Sequence, residues 1–105
     1  IMEKKLTKAE IIDRIHEKLE VNRRDIHDVI DSFFEELKDA LKEDKVIELR
    51  GFGTFEIRTR KGRDRARNPK TGEIVPVDTH GVAVFRPGKE LKQIAWPLRG
   101  GDSTE

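Results

Sequence analysis

The sequence predicts an α+β fold: a helical first half, a small antiparallel sheet carrying a long projecting β-ribbon arm, and a short closing helix. Three observations lead there. Apolar residues recur at helical spacing up to about residue 44 and at strand spacing beyond it. The turn clusters Arg50-Gly51-Phe52-Gly53 and Asn68-Pro69-Lys70-Thr71-Gly72 fall in the second half. One basic segment lies between them.

The elements follow in order. Thr7 with Glu10 three residues on is a capping-box pattern, and Ile11, Ile12, Ile15 and Leu19 then recur at helical spacing to about Glu20. Asn22 followed by Asp25 marks a second helix start. Ile26, Val29, Ile30, Phe33, Phe34, Leu37 and Leu41 make one apolar stripe, with Asp28, Asp31, Glu35, Glu36 and Asp39 largely off it. Val46, Ile47 and Leu49 make a short strand before the Gly51–Gly53 turn. From Thr54 to Arg60 the pattern alternates, with Phe55, Ile57 and Thr59 on one face and Glu56, Arg58 and Arg60 on the other. Glu73 to Phe85 returns, with Pro76 suited to an edge or a free ribbon. Pro87 is expected in the first turn of a helix that carries Leu91, Ile94 and Ala95 and ends at Pro97. In outline, 7–44 is a helical dimerisation part. Residues 45–86 form the sheet, with the arm at about 57–77. Residues 87–96 form the last helix and 97–105 a loose tail, all within a single domain.

Composition excludes several classes. The 105 residues are one domain's worth, 41% charged and 34% hydrophobic, without cysteine. No disulfide, thiolate metal site or cysteine nucleophile is therefore available. His16, His27 and His80 are not at ligand spacing, so no metal and no cofactor is expected. No apolar run approaches a membrane span, and Met2 reads as the natural start with no signal peptide after it. No paired carboxylates or activated Ser or His stand out, so neither an enzyme nor a small-molecule substrate is expected.

Charge is unevenly placed. Residues 1–44 carry nine Lys/Arg against thirteen Asp/Glu, net −4. Residues 56–72 carry seven Lys/Arg against Glu56 and Asp64, net +5, within a chain of net +1. A nearly neutral chain with one concentrated basic segment points to a polyanion gripped at a defined place.

The hairpin from about Ile57 to Val77 has few large apolar residues near its tip. Folding it onto a core would bury arginines at high cost, so it should project into solvent. Its ascending strand could reach roughly 40 Å at ~3.3 Å per residue. Removing the arm leaves a thin core, while the second helix offers adjacent Phe33 and Phe34. A two-fold homodimer sharing Ile30, Phe33, Phe34, Leu37, Phe52, Phe55 and Phe85 is the expected solution.

Arg63, Arg65 and Arg67 are expected to share one strand face, roughly 7 Å apart, comparable to phosphate spacing along DNA. Arg58 and Arg60 have the opposite parity, so a bulge is expected at Lys61-Gly62. Pro69, rigid and apolar among Arg67, Asn68 and Lys70, suits a wedge between base pairs at the arm's apex. A second contact area is expected on the body. It comprises Lys8, Arg50 with the amides of Gly51, Phe52 and Gly53, and Arg86, Gly88, Lys89 and Lys92 near the last helix start.

The motifs Gly51-Phe52-Gly53-Thr54-Phe55, Arg67-Asn68-Pro69-Lys70-Thr71-Gly72 and Phe85-Arg86-Pro87-Gly88-Lys89-Glu90-Leu91-Lys92 occur in that order. Over about Leu6 to Trp96 the chain resembles the HU/IHF family of bacterial histone-like proteins. The resemblance implies an intertwined dimer whose two arms wrap double-stranded DNA through the minor groove, with Pro69 intercalating and Arg67 and Asn68 at the tip. It implies that Arg58, Arg60, Arg63 and Arg65 line the arm, and that Lys8, the Gly51–Gly53 turn, Lys89 and Lys92 hold flanking DNA. It also implies a cytoplasmic, nucleoid-associated protein. Phe55 to Asn68 holds one residue more than the commonest family pattern, consistent with a phase switch at Gly62.

Sequence-tolerant bending of DNA for nucleoid organisation is the leading expectation. A sequence-preferring, IHF-like factor is the alternative, and a heterodimer with a paralogue stays open. A structural module whose arm binds RNA or an acidic protein is a third reading. It would bend nothing and gain little from Pro69.

Overall fold

Thr7 opens the first helix, α1 (Lys8–Lys18), in the computed structural model of the chain, which describes residues 4–100. The expected start at Met2 and the last five residues of the expected tail lie outside these. The predicted capping box forms. The Glu10 amide donates to Thr7 Oγ1 at 3.2 Å, and the Thr7 amide donates to Glu10 Oε1 at 2.9 Å. Two otherwise orphaned donors are satisfied at once. The Thr7 amide, then its hydroxyl, hold the Glu10 carboxyl below the usual carboxylate range.

The chain divides into two units, Ile1–Asp39 and Ala40–Glu105. In the first, Asn22 Oδ1 accepts from the Arg24 amide at 2.7 Å and starts α2 (Arg23–Lys42). Arg23 Nε donates to Asp13 Oδ1 at 2.7 Å and Lys8 Nζ to Asp31 Oδ1 at 2.6 Å, tying α2 to α1. His16 Nδ1 donates to the Val21 carbonyl at 2.9 Å and fastens the connection. Ile12 and Ile26 are the only buried large hydrophobic side chains among the described residues. Ile30 and Leu37 are half-buried, and Phe33 and Phe34 remain 46% and 43% exposed.

Helix α2 ends without glycine. Asp44 adopts φ 59°, its amide donates to the Leu41 carbonyl at 2.9 Å, and the Lys45 amide reaches the Ala40 carbonyl at 3.0 Å. This pair of bonds is the Schellman closure, with aspartate at the left-handed position that glycine usually fills.

The second unit is built on β1 (Ile47–Leu49), β2 (Gly53–Arg60) and β5 (His80–Pro87), in the order β1-β2-β5 and antiparallel throughout. The Phe52 amide closes the turn onto the Leu49 carbonyl at 2.9 Å, with Gly51 at φ 85°. Gly53 is buried, and a Cβ there would lie 2.5 Å from the Phe85 ring and 2.6 Å from the Arg86 carbonyl oxygen. Only glycine lets β2 run this close to Phe85. Phe55 pairs directly with Phe85, ring centroids 4.6 Å apart, and Phe52 adds a second contact to Phe85 at 5.4 Å. Such pairs add about 0.5–1.5 kcal/mol beyond area burial.

Beyond this sheet the ribbon continues as β3 (Arg63–Arg67) paired with β4 (Ile74–Val77). The last helix, α3 (Lys89–Ala95), follows. Pro87, expected in its first turn, is instead the final residue of β5, and Gly88 is the N-cap. The Gly53↔Pro87 pairing keeps Pro87 in register, and pairing at an end strand is where a missing amide costs least. Among the described residues no helix is long and apolar enough to cross a membrane.

Candidate nucleic-acid interface

The basic side chains of the second unit are organised by one sheet face and the ribbon that grows from it. Register places Thr54 opposite Arg86, Glu56 opposite Val84, Arg58 opposite Val82 and Arg60 opposite His80. Directly paired residues share a face. Glu56, Arg58, Arg60 and Arg86 therefore lie together, away from the Phe55–Phe85 face. Glu56 Oε2 accepts from Arg58 Nε at 3.0 Å and from Arg86 Nε at 2.8 Å. The Arg58 hydrogen bond leads in holding the Glu56 carboxyl below its usual range, with Arg86 assisting.

The predicted bulge exists, but not where parity along one strand puts it. Arg60↔His80 and Arg63↔Val77 keep the same register, so no residue is gained at Lys61-Gly62. The shift falls between Arg63 and Ala66, where Ala66 pairs with Val75 and Arg67 with Ile74. The unpaired residue of the bulge therefore falls at Asp64-Arg65. Arg63 and Arg67 consequently face opposite sides of the ribbon, because Val77 and Ile74 are three residues apart. The expectation of one shared face for Arg63, Arg65 and Arg67 does not hold. Gly62 has another duty: its amide donates to Thr79 Oγ1 at 2.9 Å, and a Cβ there would collide with the backbone of Val77 and Thr79.

The tip is a hydrogen-bonded turn. The Asn68 amide donates to the Glu73 carbonyl at 2.7 Å, and the Gly72 amide to the Asn68 carbonyl at 2.7 Å. Asn68 Oδ1 accepts from the Lys70 amide at 2.9 Å, and Arg67 Nη1 donates to the Gly72 carbonyl at 3.2 Å. Asn68 is half-buried by this role, whereas Pro69 and Lys70 are exposed beside it. Lys61, Arg63, Arg65 and Arg67 are exposed as well.

The expected body contacts are more committed than sequence suggests. Lys8 lies in the first unit and is paired with Asp31, whose carboxyl it holds below the usual range by a side-chain hydrogen bond. The Phe52 amide is used within its turn, and the Gly88 amide donates to the Phe52 carbonyl at 2.9 Å. Arg50, Gly51, Phe52, Gly53, Gly88 and Lys89 nevertheless line one concavity, while Lys92 lies further along α3. Sequence reasoning missed Glu56 and Thr79. The alternation of β2 already put Glu56 beside Arg58, but nothing local linked it to Arg86, thirty residues away.

The family model for bacterial DNA-binding proteins matches residues 6–95. The chain belongs to the HU/IHF family. Its relatives include integration host factor subunit alpha of Pseudoalteromonas translucida, 47% identical over 87 residues, covering 83% of this chain and 87% of that one. The corresponding subunit of Pseudomonas aeruginosa is 45% identical over 87 residues, covering 83% and 86%. Among solved structures, Anabaena HU in a cocrystal with DNA matches with a TM-score of 0.76 at 33% identity, covering 86% of this chain and 98% of that one. An HU variant from Thermotoga maritima matches at 0.64 and 29%, covering 86% and 99%. The HU/IHF fold expected from the sequence is thus the fold found, and the family is one of DNA-binding architectural proteins rather than enzymes.

Proposed function

We propose that this HU/IHF-family protein is a dimeric architectural factor that grips duplex DNA with two ribbon arms and bends it by inserting Pro69 at the minor groove. The observation that carries this reading is the tip. A turn closed by its own hydrogen bonds presents an exposed proline at the end of a ribbon lined with arginines. A wedge partly unstacks a base step, and contacts along the bent duplex offset that cost. Arg58, Arg60, Lys61, Arg63, Arg65, Arg67, Asn68 and Lys70 supply the arm's contacts. Lys8, Arg50, the Gly51–Gly53 turn, Arg86, Gly88, Lys89 and Lys92 supply those on the body.

The apolar surface of one chain supports the dimer. Phe33, Phe34, Phe52 and Phe85 are 37–47% exposed, and burying such a side chain fully is worth about 1.5–3 kcal/mol. A second copy covering Ile30, Phe33, Phe34 and Leu37 of one unit and Phe52, Phe55 and Phe85 of the other supplies the missing burial. Binding is largely sequence-tolerant, serving nucleoid organisation in the cytoplasm.

A second reading, a sequence-preferring factor working with a different second subunit, is favoured by the relatives named integration host factor subunit alpha. Energy transfer between dyes at the two ends of a short random-sequence duplex tests the proposal. The ends approach when the protein binds and bends the DNA. Bending confined to one selected sequence would favour the second reading, and binding without approach of the ends would reject the wedge.

A further inference from the structure

Two exposed guanidiniums at the root of the arm share one sheltered carboxylate oxygen. The Glu56 side chain is 15% exposed, whereas those of Arg58 and Arg86 are 59% and 56% exposed. Both arginines donate to the same Oε2 through Nε. Two like charges this close would separate without a counter-charge between them. A guanidinium held by Nε still has its terminal N–H groups to donate, and these suit phosphate oxygens. The concavity lined by Arg58, Thr59, Arg60, Val84 and Arg86 extends from this pair toward the arm.

We propose that Glu56 is a positioning residue that converges Arg58 and Arg86 into a single phosphate-binding fork where the arm meets the sheet. This rests on the DNA-binding reading above. The ligand is one backbone phosphate of the duplex, entering where the ribbon leaves the body. Two cations and one carboxylate leave the cluster one net positive charge, matched to a phosphodiester. The Arg58 hydrogen bond first, and then Arg86, hold the Glu56 carboxyl below the usual carboxylate range.

The test compares Glu56→Leu and Glu56→Gln with the unaltered protein, each binding one random-sequence duplex across a salt series. Glu56→Leu removes both acceptor oxygens and a negative charge together. The expected result is affinity about three- to ten-fold weaker and a salt slope lower by about one, despite the gain in positive charge. Glu56→Gln keeps a neutral acceptor and falls between. In an Arg58→Ala/Arg86→Ala background, Glu56→Leu changes nothing further, because its effect runs through those side chains. Binding by Glu56→Leu that is unchanged or tighter would overturn the inference, leaving Glu56 as a mere subtraction of charge. An equal loss in both backgrounds would overturn it too. Absence of salt-dependent binding by the unaltered protein would instead reject the sequence-tolerant DNA-binding reading on which the inference rests.

Discussion

Arg63 and Arg67 lie four residues apart on one strand yet on opposite faces of the ribbon, because the bulge between Arg63 and Ala66 places one opposite Val77 and the other opposite Ile74. Four residues of regular strand would have kept them on one face. Arg67 thus lies on the Ile74 face of the β3–β4 ribbon and Arg63 on the Val77 face.

Arg67→Ala and Arg63→Ala should therefore differ. If the Arg67 face of the ribbon meets the duplex, Arg67→Ala lowers the salt slope by about one. Arg63→Ala costs clearly less. Fluorescence anisotropy with a labelled duplex measures both. Equal losses would mean that both ribbon faces touch DNA.

Pro69→Ala should reduce bending more than binding. The turn's hydrogen bonds come from Asn68, Lys70 and Gly72 rather than from Pro69, so the tip keeps its shape while losing its rigid apolar ring. End-to-end energy transfer should fall toward that of free DNA while affinity drops modestly. Unaltered bending would remove Pro69 from the mechanism.

Phe33→Asp should abolish the dimer and unfold the chain, since it sets an unpaired charge into the proposed subunit core. Sedimentation and far-ultraviolet circular dichroism read the two effects. A folded monomer would show that the half-exposed Phe33 and Phe34 serve no shared core.

Asp44→Gly should stabilise the protein by up to about 1 kcal/mol. Asp44 holds φ 59°, which glycine adopts without the steric cost that a Cβ brings. Thermal unfolding at equal protein concentration measures it. Asp44→Val should shift the midpoint the other way.

What could be read from sequence was what neighbours in the chain decide. Thr7 and Glu10 cap α1 through atoms three residues apart, and the period-two pattern from Thr54 to Arg60 sorts phenylalanine from arginine without reference to any partner. Parity also called for a bulge in the arm. It misplaced that bulge at Lys61-Gly62 because a bulge is a property of two strands in register, and only the pairing with Val77, Val75 and Ile74 locates it. The same limit hid the bond from Arg86 to Glu56 and made Pro87 look like a helix residue when Gly53 holds it in the sheet. Lys8 looked available because its partner Asp31 lies 23 residues away on the second helix.

Affinity for one random-sequence duplex, followed across a salt series, tests the central claim most directly. A phosphate-gripping architectural protein binds tightly at low salt, and log affinity falls linearly with log salt at about 0.9 per phosphate neutralised. With the proposed arm and body contacts from two subunits, the slope should correspond to several phosphates. Negligible binding even at low salt would contradict sequence-tolerant DNA binding, leaving a factor confined to particular sites or an arm built for another partner.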